Sequence, residues 1–327
     1  MNYFEQSNGV VAKALERIKP YISQTPLLQS EILNQKLGNK IYLKADSLQI
    51  TGSFKIRGVF NFLLSYQEQG KLPAKIVSYS TGNHALAMAY AAKLLNIKAR
   101  VYLPKNVSII KSNIAKSYGA EVIEVETRQQ AEDYAYRDSL NDYVFLHPSD
   151  NDYTIAGAGT LCYEALFEMK KMNISLDYIF GSCGGGGLLS GSFLAKELLA
   201  PTTELHGVEP KAANDAFNSL HAESIFRFAQ SPDTVADGLR ALSVSARTLQ
   251  YLKKLDGFHL VEEESIRYWT AALIQIMNLP CEPSAAISLA AAYNFLKNKI
   301  ENKTVLILIS GGNIDPSLRS ELEKIRI

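Results

Sequence analysis

The segment Thr51-Gly-Ser-Phe-Lys-Ile-Arg-Gly58 joins two stretches of different periodicity. Before it, residues 40–46 alternate apolar and polar side chains as a half-buried strand does. After it, residues 59–66 carry apolar side chains at helical spacing. The segment is therefore predicted to be a turn from a strand into a helix, with Lys55 at the start of that helix.

The position of Lys55 has a chemical consequence. A helix start carries unpaired N–H groups and a partial positive charge, which bind anions and disfavour a protonated amine nearby. An amine whose pKa is lowered in this way is suited to form a Schiff base. Position alone favours an ordinary solvated lysine, and it is the other motifs of the chain that change this interpretation.

The composition is that of a globular protein that acts on small molecules. The 327 residues are 47% hydrophobic, and 34 basic against 33 acidic residues leave a formal net charge of +1. This balance gives no electrostatic reason to expect nucleic acid or an anionic membrane as a partner. The sequence shows no signal-peptide pattern, and none of its apolar stretches approaches the roughly 20 residues that a membrane span needs. We therefore expect a cytoplasmic protein. The cysteines, Cys162, Cys183 and Cys281, are widely spaced and are expected to be reduced, buried thiols.

The rest of the chain alternates short β-branched runs with amphipathic helical segments, which is typical of α/β proteins. Strands are predicted at 75–79, 99–103, 120–125, 143–146, 177–180, 204–208, 258–261 and 304–309. Helices are predicted at 85–95, 108–118, 129–140, 159–172, 188–199, 263–277 and 285–296. This order predicts two α/β units with mostly parallel sheets flanked by helices, and no linker marks a clean boundary between them.

The loop Gly181-Ser-Cys-Gly184-Gly-Gly-Gly187 follows a predicted strand and opens a helix. Its four consecutive glycines let successive N–H groups point at one anion, and the helix start adds its dipole. We interpret it as a phosphate-binding cup, and the alternative is a merely flexible glycine loop. Neither the P-loop motif nor the GxGxxG dinucleotide fingerprint is present, which disfavours a nucleoside triphosphate or a dinucleotide.

Two further loops follow predicted strands, where ligands collect in open α/β sheets. Ser80-Thr-Gly-Asn-His84 opens a helix, so its N–H groups suit a carboxylate and Asn83 suits a ring oxygen. Ser310-Gly-Gly-Asn313 follows the most apolar strand, and its serine could meet a ring nitrogen. Taken alone, the first loop is equally compatible with a helix cap and the second with an ordinary turn.

Together these motifs resemble the fold-type-II pyridoxal-phosphate enzymes, in the branch that contains threonine and serine dehydratases and serine racemase. Further agreement comes from residues 25–27, 147–148, 155–160, 208–210, 236–238 and 282–283, so the resemblance covers nearly the whole chain. It implies a tryptophan-synthase-β-like α/β fold with two domains and a homodimer. We expect a large cofactor-binding domain of residues 1–72 and 148–327, and a small mobile substrate-binding domain of residues 73–147.

The resemblance also implies roles for single residues. Lys55 would bind pyridoxal 5'-phosphate as a Schiff base and then act as base on the substrate α-proton. Asn83 would bind the ring oxygen and Ser310 the ring nitrogen, with Phe54 and Gly238 beside the cofactor. The phosphate-binding residues would be Gly184, Gly185, Gly186 and Gly187, and the residues around the substrate Ser80, Thr81, Gly82, Asn83 and His84. Because a neutral hydroxyl does not keep the ring nitrogen protonated as a carboxylate would, β-elimination is favoured over transamination.

We therefore expect β-elimination of L-threonine or L-serine to a 2-oxo acid and ammonia, by a protein whose partner is a small amino acid. The alternatives on the same scaffold are serine racemisation and elimination of L-threo-3-hydroxyaspartate. Thr81 stands where racemase-like members carry a serine, proposed as acid or base opposite the lysine, and where many dehydratases carry alanine.

Two further positions depart from the racemase-like pattern. Ala241 replaces a polar serine of that pattern. The arginine that the pattern places before His147 has no clear counterpart, with Arg128 and Gln130 both near. Hydroxyaspartate would need a basic group for its second carboxylate, and the sequence alone does not place one.

The loop from Glu209 to Asp215 offers two carboxylates and a backbone carbonyl, which suit a hard cation. Its spacing alone favours a solvated acidic loop. Because racemase-like members resemble it at Glu209, Ala213 and Asp215, we expect these residues to bind Mg²⁺, or Ca²⁺ or Mn²⁺, in a structural or activating role.

Two interpretations outside this class stay open at this point. A nicotinamide-dependent oxidoreductase would share the α/β pattern, although the dinucleotide fingerprint is missing. A non-catalytic cofactor-binding protein would keep Lys55 and the glycine loop without turning over an amino acid.

Overall fold

The computed structural model describes residues 9–80, 82–105, 109–222, 224–297 and 302–327. Thr81 lies outside the described residues, so the role expected for its hydroxyl stays a prediction. Within these ranges, no helix is both long enough and apolar enough to cross a membrane.

The strands and helices follow one another in α/β order. The strands are β1 (Leu27–Gln29), β2 (Lys40–Ala45), β3 (Lys75–Tyr79), β4 (Lys98–Pro104), β5 (Glu121–Val125), β6 (Val144–Phe145), β7 (Tyr178–Ser182), β8 (Glu204–Pro210), β9 (Gly257–Val261) and β10 (Thr304–Ile309). The helices are α1 (Val10–Ile18), α2 (Glu31–Leu37), α3 (Lys55–Glu68), α4 (Asn83–Leu94), α5 (Ile109–Ser117), α6 (Arg128–Ser139), α7 (Asp152–Lys171), α8 (Gly187–Leu199), α9 (Asp215–Ala222), α10 (Ala246–Leu252), α11 (Glu263–Met277), α12 (Pro283–Leu296) and α13 (Pro316–Leu322).

The strands form two sheets, and the predicted fold of mostly parallel sheets flanked by helices is confirmed. The described strands pair in the orders β1-β2-β10-β7-β8-β9 and β5-β4-β3-β6. Every pairing is parallel except that of β1 with β2. The apolar strand β10 lies between β2 and β7 and is buried over Val305–Ile309, as a near-continuous apolar run in a parallel sheet should be. The four-stranded sheet falls within residues 75–145, and the predicted domain boundaries stay a prediction.

Helix α7 begins seven residues before the predicted start at residue 159. The Asn151 side chain caps it by accepting two backbone N–H groups. The predicted start is too late because Gly157 and Gly159 lie inside the helix, and glycine usually disfavours a helix interior. A Cβ on Gly157 would lie 2.5 Å from the Arg57 carbonyl oxygen, and one on Gly159 would lie 2.4 Å from that of Gly191. These glycines are therefore required by the close approach of α7 to α3 and α8.

A buried ion network fixes the start of α3. The Arg57 guanidinium is fully buried, with its Nε 2.6 Å from Asp46 and its Nη1 2.9 Å from Glu164. Lys44, also fully buried, lies 2.9 Å from the same glutamate. Removing one partner from such a network leaves an unpaired buried charge, which typically costs about 3–5 kcal/mol. The network thus holds the backbone two residues after Lys55.

Candidate active site

A cavity of about 270 Å³ lies where loops from both sheets meet. Its walls come from the loops that follow β2, β3, β6, β7 and β10, because parallel strands bring their carboxyl ends to one edge. Predicted site residues that line it are Phe54, Lys55, Ser80, Asn83, His84, Gly184, Gly185, Gly186, Gly187, Gly238 and Ser310. The structure therefore brings together nearly all the residues expected around the cofactor.

Contacts between the β2 and β10 loops hold Lys55 in this cavity. Ser53 forms a bridge to Gly311, and the Phe54 N–H donates to the Ser310 carbonyl at 2.9 Å. The two loops are adjacent because β2 pairs in parallel with β10 over its whole length. The helix start that carries the lysine is thereby placed beside the serine hydroxyl.

The Lys55 amine donates to the Pro148 carbonyl oxygen at 3.0 Å. Burial, and secondly the Arg128 guanidinium, lowers the pKa of Lys55 to about 8. At neutral pH about a tenth of such amines are unprotonated, against well under a thousandth for an ordinary lysine. The sequence pointed to the helix start as the cause of a lowered pKa, whereas the causes that the structure gives are burial first and the Arg128 guanidinium second.

The glycine loop has the shape of a cradle that side chains would fill. Gly186 has a φ of 81° and precedes Gly187, the first residue of α8. A Cβ on Gly185 would lie 2.3 Å from the Ser149 hydroxyl oxygen, and one on Gly186 would lie 2.8 Å from the Thr248 Cβ. Backbone N–H groups at a helix start suit a phosphate, so the loop fits the phosphate group of pyridoxal phosphate.

Asn83 is held from two sides. Its amide nitrogen donates to Glu282 at 2.6 Å, and its amide oxygen accepts from Asn313 at 2.9 Å. The nitrogen carries a second proton, which is available to a ring oxygen. Burial raises the pKa of Glu282 to about 7, although Lys111 lies 3.4 Å away and opposes the shift. The same lysine pairs with Asp237 at 2.8 Å.

The loop after β3 uses part of its own hydrogen-bonding capacity. The Ser80 N–H donates to the Tyr102 carbonyl at 3.1 Å, and the Gly82 N–H donates to the Ser80 hydroxyl at 2.9 Å. Gly82 does not line the cavity among the residues the structure describes; its φ is 137°, and a Cβ there would lie 2.3 Å from Lys111. The first N–H groups of a helix are unpaired within it. At the start of α4 the Ala85 N–H donates to the Ser80 hydroxyl at 3.1 Å, and the N–H groups before it suit a carboxylate.

Tyr79 and His147 form a pair that the sequence did not predict. The His147 Nδ1 accepts from the backbone N–H groups of Ser149 at 3.1 Å and Asp150 at 2.7 Å. Burial lowers the pKa of His147 to about 4, so the ring is neutral and its proton lies on Nε2. Nε2 then donates to the Tyr79 hydroxyl, 3.0 Å away. Tyr79 accepts this bond, and no acceptor for its own proton is found in the described part of the chain, so that proton is available to a ligand in the cavity.

His84 is a positioning residue. Its Nε2 lies 3.1 Å from both the Ser78 hydroxyl and the Leu146 carbonyl oxygen. Burial lowers the pKa of His84 to about 3, so the ring stays neutral. It connects the β3 loop to the end of β6.

The residues expected to bind a metal lie apart from the cavity. Glu209 and Asp215 are fully buried, and both oxygens of Asp215 are without a hydrogen-bond partner in the part of the chain that the structure describes. The Glu209 oxygens accept from the N–H groups of Ala216 and Phe217. Burial raises the pKa of Asp215 to about 7 and that of Glu209 well above its usual range. Two buried carboxylates, of which Asp215 has both oxygens without a partner among the described residues, fit a divalent cation.

Several cavity residues were not predicted. Tyr79 carried a signal, because it immediately precedes the predicted loop at the end of β3. Glu132 and Arg227 carried none: they are 95 residues apart in the chain, and their side chains meet at 2.7 Å. The racemase-like pattern places an arginine before His147, and Arg128 and Gln130 are the two nearby positions. Arg128 lines the cavity, whereas Gln130 accepts from the Glu126 N–H on the surface.

A family described as pyridoxal-phosphate dependent enzymes matches residues 18–311. A serine racemase of Dictyostelium discoideum is 35% identical over 317 residues, which cover 95% of this chain and 96% of that protein. An L-threo-3-hydroxyaspartate ammonia-lyase of Saccharomyces cerevisiae is 34% identical over 310 residues, which cover 94% and 93%. The crystal structure of a threonine deaminase from T.th. matches with a TM-score of 0.87 and 38% identity, covering 94% of this chain and 98% of that one.

The chain therefore belongs to the pyridoxal-phosphate dependent enzymes of fold type II, in the branch of threonine and serine dehydratases and serine racemase. Family membership decides against a nicotinamide-dependent oxidoreductase. These relatives have three different activities at similar sequence identity. Similarity therefore identifies the branch of the family, and the individual reaction has to be inferred from the cavity.

Proposed function

We propose that this chain is a pyridoxal-phosphate-dependent L-threonine/L-serine ammonia-lyase. It removes water from the substrate by β-elimination and gives 2-oxobutanoate or pyruvate and ammonia. The observation that carries this proposal is that the Lys55 amine, with its pKa near 8, shares one cavity with the glycine cradle and the Ser310 hydroxyl.

The cavity residues fit the cofactor in three places. The N–H groups of residues 184–187 would hold its phosphate, Asn83 its ring oxygen and Ser310 its ring nitrogen. When bound, pyridoxal phosphate supplies a ring that withdraws electrons from the substrate Cα. Since Ser310 is neutral, that withdrawal is weak, and prompt loss of a β-substituent is favoured over a long-lived carbanion.

Lys55 moves the proton that starts the elimination. Its amine is unprotonated in a usable fraction at neutral pH and takes the substrate α-proton. The β-hydroxyl gains the proton that Lys55 has taken up and leaves as water, and the released enamine adds water and hydrolyses to the 2-oxo acid and ammonia. The N–H groups at the start of α4 would receive the substrate α-carboxylate.

Serine racemisation is the second candidate, and Tyr79 is the observation that favours it. Racemisation needs a second proton donor besides the lysine. Burial raises the pKa of Tyr79 above its usual range, and His147 leaves its hydroxyl proton free. A tyrosine that stays protonated and faces the cavity can return a proton to carbon. The hydroxyl of Thr81 is the other donor predicted for this step.

A divalent cation would be held by the Glu209 and Asp215 carboxylates with the carbonyl of Ala213, completed by water. Charge compensation supports this: the cation would pair with the two Asp215 oxygens, which are buried without a partner among the described residues. Among the described residues, no cluster of three or more His, Cys, Asp or Glu side chains is present, so the carbonyl and water are needed. The role of the cation is to stabilise the loop after β8, away from the reacting atoms.

A product assay tests the proposed reaction. The holoenzyme is given L-threonine, L-serine and L-threo-3-hydroxyaspartate separately, and the 2-oxo acid and D-amino acid are followed. Oxo acid from threonine or serine is expected. Lys55→Ala should lose both turnover and the lysine-dependent absorbance of the cofactor, whereas Lys98→Ala, at an exposed lysine outside the cavity, should keep both. Turnover by Lys55→Ala at the wild-type rate would refute the role of Lys55, and mainly D-serine would establish the racemase.

A further inference from the structure

Arg227 brings a second guanidinium to the wall of the cavity. It lies in the segment between α9 and α10, and it reaches across to α6. Its Nη2 donates to Gln129 at 2.5 Å and to Glu132 at 2.7 Å, and its Nη1 donates to Ser243 at 3.1 Å. The side chain remains 42% exposed, so these contacts position the guanidinium without covering it.

Arg128 lies on the other side of the same glutamate. Its Nε is 3.3 Å from Glu132, and its guanidinium lies 5.3 Å from the centre of the Tyr79 ring. Arg128 is 12% exposed and Glu132 is 17% exposed, and both line the cavity. Two guanidinium groups therefore share one carboxylate, which leaves one positive charge in excess at this wall.

The other ligand charges already have receptors elsewhere. The phosphate fits the glycine cradle, and the substrate α-carboxylate fits the N–H groups of α4. Among the described residues that line the cavity, Lys111 is the remaining cation besides Lys55, and it is neutralised by Asp237 and Glu282. The excess positive charge of Arg128 and Arg227 thus has no counterpart in a serine or threonine substrate, whose side chains are neutral.

We propose that Arg227, acting with Arg128, binds a second carboxylate on the substrate side chain. The substrate class is then a β-hydroxy-α-amino acid with an acidic side chain, such as L-threo-3-hydroxyaspartate, in preference to L-serine and L-threonine. Glu132 is the positioning residue that holds both guanidinium groups at the cavity. This inference rests on the proposed β-elimination and names its preferred substrate.

Arginine suits this task because its guanidinium stays charged and has five N–H donors. Three of these donate to Gln129, Glu132 and Ser243, which leaves the Nε hydrogen and one Nη1 hydrogen of Arg227 for a ligand carboxylate. The competing explanation is a latch, in which Arg227 only ties the segment before α10 to α6 and does not contact the substrate. A latch affects all substrates alike, whereas recognition of a carboxylate affects only acidic ones.

The experiment compares the holoenzyme with Arg227→Met and Arg227→Lys. Arg319→Met is the matched control, because Arg319 is 44% exposed, pairs with Glu323 at the end of α13 and does not line the cavity. Ammonia release from L-threo-3-hydroxyaspartate and from L-serine gives the ratio of the two kcat/KM values. Binding of L-aspartate and of L-alanine, which lack a β-hydroxyl, is titrated by the absorbance of the bound cofactor and is independent of turnover.

The wild type should prefer hydroxyaspartate to serine and bind L-aspartate more tightly than L-alanine. Arg227→Met should lower both preferences by about tenfold, the typical effect of losing one charge-assisted hydrogen bond. Arg227→Lys keeps the charge without the planar guanidinium and its five donors, and should recover part of the loss. Arg319→Met should leave both ratios as in the wild type.

Three results separate this inference from the proposed function. Equal losses for acidic and neutral ligands in Arg227→Met would establish a latch and overturn the inference. Elimination of serine by a wild type that binds L-aspartate no better than L-alanine would also overturn it, with the proposed function intact. Binding of L-aspartate that depends on Arg227, in an enzyme that eliminates nothing, would support the inference and refute the proposed function.

Discussion

Lys55→Met should stabilise the apoprotein at neutral pH. The pKa of Lys55 falls from the ordinary 10.5 to about 8 in the folded chain. Below pH 8 both states are protonated, and the folded state bears the cost of a buried charge. Between pH 8 and 10.5 the unfolded chain binds the extra proton, so the stability of the wild type rises with pH. Above pH 10.5 the amine is neutral in both states, so the cost of burying its charge is absent.

The size of this cost follows from the pKa difference. At about 1.4 kcal/mol for each pH unit, the protonated amine costs the fold about 3 kcal/mol at pH 7. For a chain of this length that corresponds to about 5 °C in Tm. Part of the Lys55 surface faces the cavity, so this value is an upper limit. By pH 10 the cost should be below about 1 kcal/mol.

Urea unfolding of the apoprotein at pH 7 and at pH 10 measures the effect. Other groups titrate equally in the wild type and in Lys55→Met, so they cancel in the difference. The variant also loses the hydrogen bond from Lys55 to the Pro148 carbonyl, but that loss does not depend on pH. We expect the free energy of unfolding of Lys55→Met to exceed that of the wild type at pH 7, and this difference to shrink by about 2 kcal/mol at pH 10. A difference of the same size at both pH values would refute the lowered pKa, and Lys98→Met should show no change.

Three further results are expected. Gly186→Ala should weaken cofactor binding by at least about tenfold in equilibrium dialysis, because the added Cβ would displace the cradle and its N–H donors; Gly70→Ala, which shares the positive φ but has no described atom within 4 Å of its Cβ, should bind normally. Mg²⁺ at about 100 times its Kd should stabilise the wild type by about 2.7 kcal/mol, and calorimetry should find that gain missing in Asp215→Asn. Tyr79→Phe should lower D-serine formation by about a hundredfold, the usual effect of removing a general acid, and oxo acid formation much less; equal losses in chiral chromatography would show that Tyr79 is not that acid.

Much of the cavity was predictable because its motifs are local. Each is a strand followed by a loop and a helix, and the predicted strands and helices agree with the structure within two residues at each end, apart from the start of α7. Parallel pairing then brings the carboxyl ends of β2, β7 and β10 together, so loops distant in the chain become neighbours. The glycines of α7 show the limit of this reasoning, since their purpose is a contact with helices elsewhere in the chain.

The charges around the cavity were not predictable for the same reason. Arg227 meets Glu132 across 95 residues, and Arg57 meets Glu164 across 107. No local pattern distinguishes such a side chain from a solvated one, because the partner is supplied by tertiary packing alone. The sequence therefore predicted where a cofactor could bind, and left open which side chain of a substrate the cavity would accept.

The lowered pKa of Lys55 depends on the buried network at Arg57. A protonated lysine in a cavity could reduce its cost if the start of α3 moved toward water. Arg57, two residues later on the same helix, is tied to Asp46 and Glu164 with no exposed surface, so such a movement would break a buried ion network. Breaking it would cost about 3–5 kcal/mol, at least as much as the roughly 3 kcal/mol that the lysine would regain. The Lys55 amine consequently stays buried. The fold is less stable for it, and a usable fraction of the amine is unprotonated at neutral pH and can act as a base.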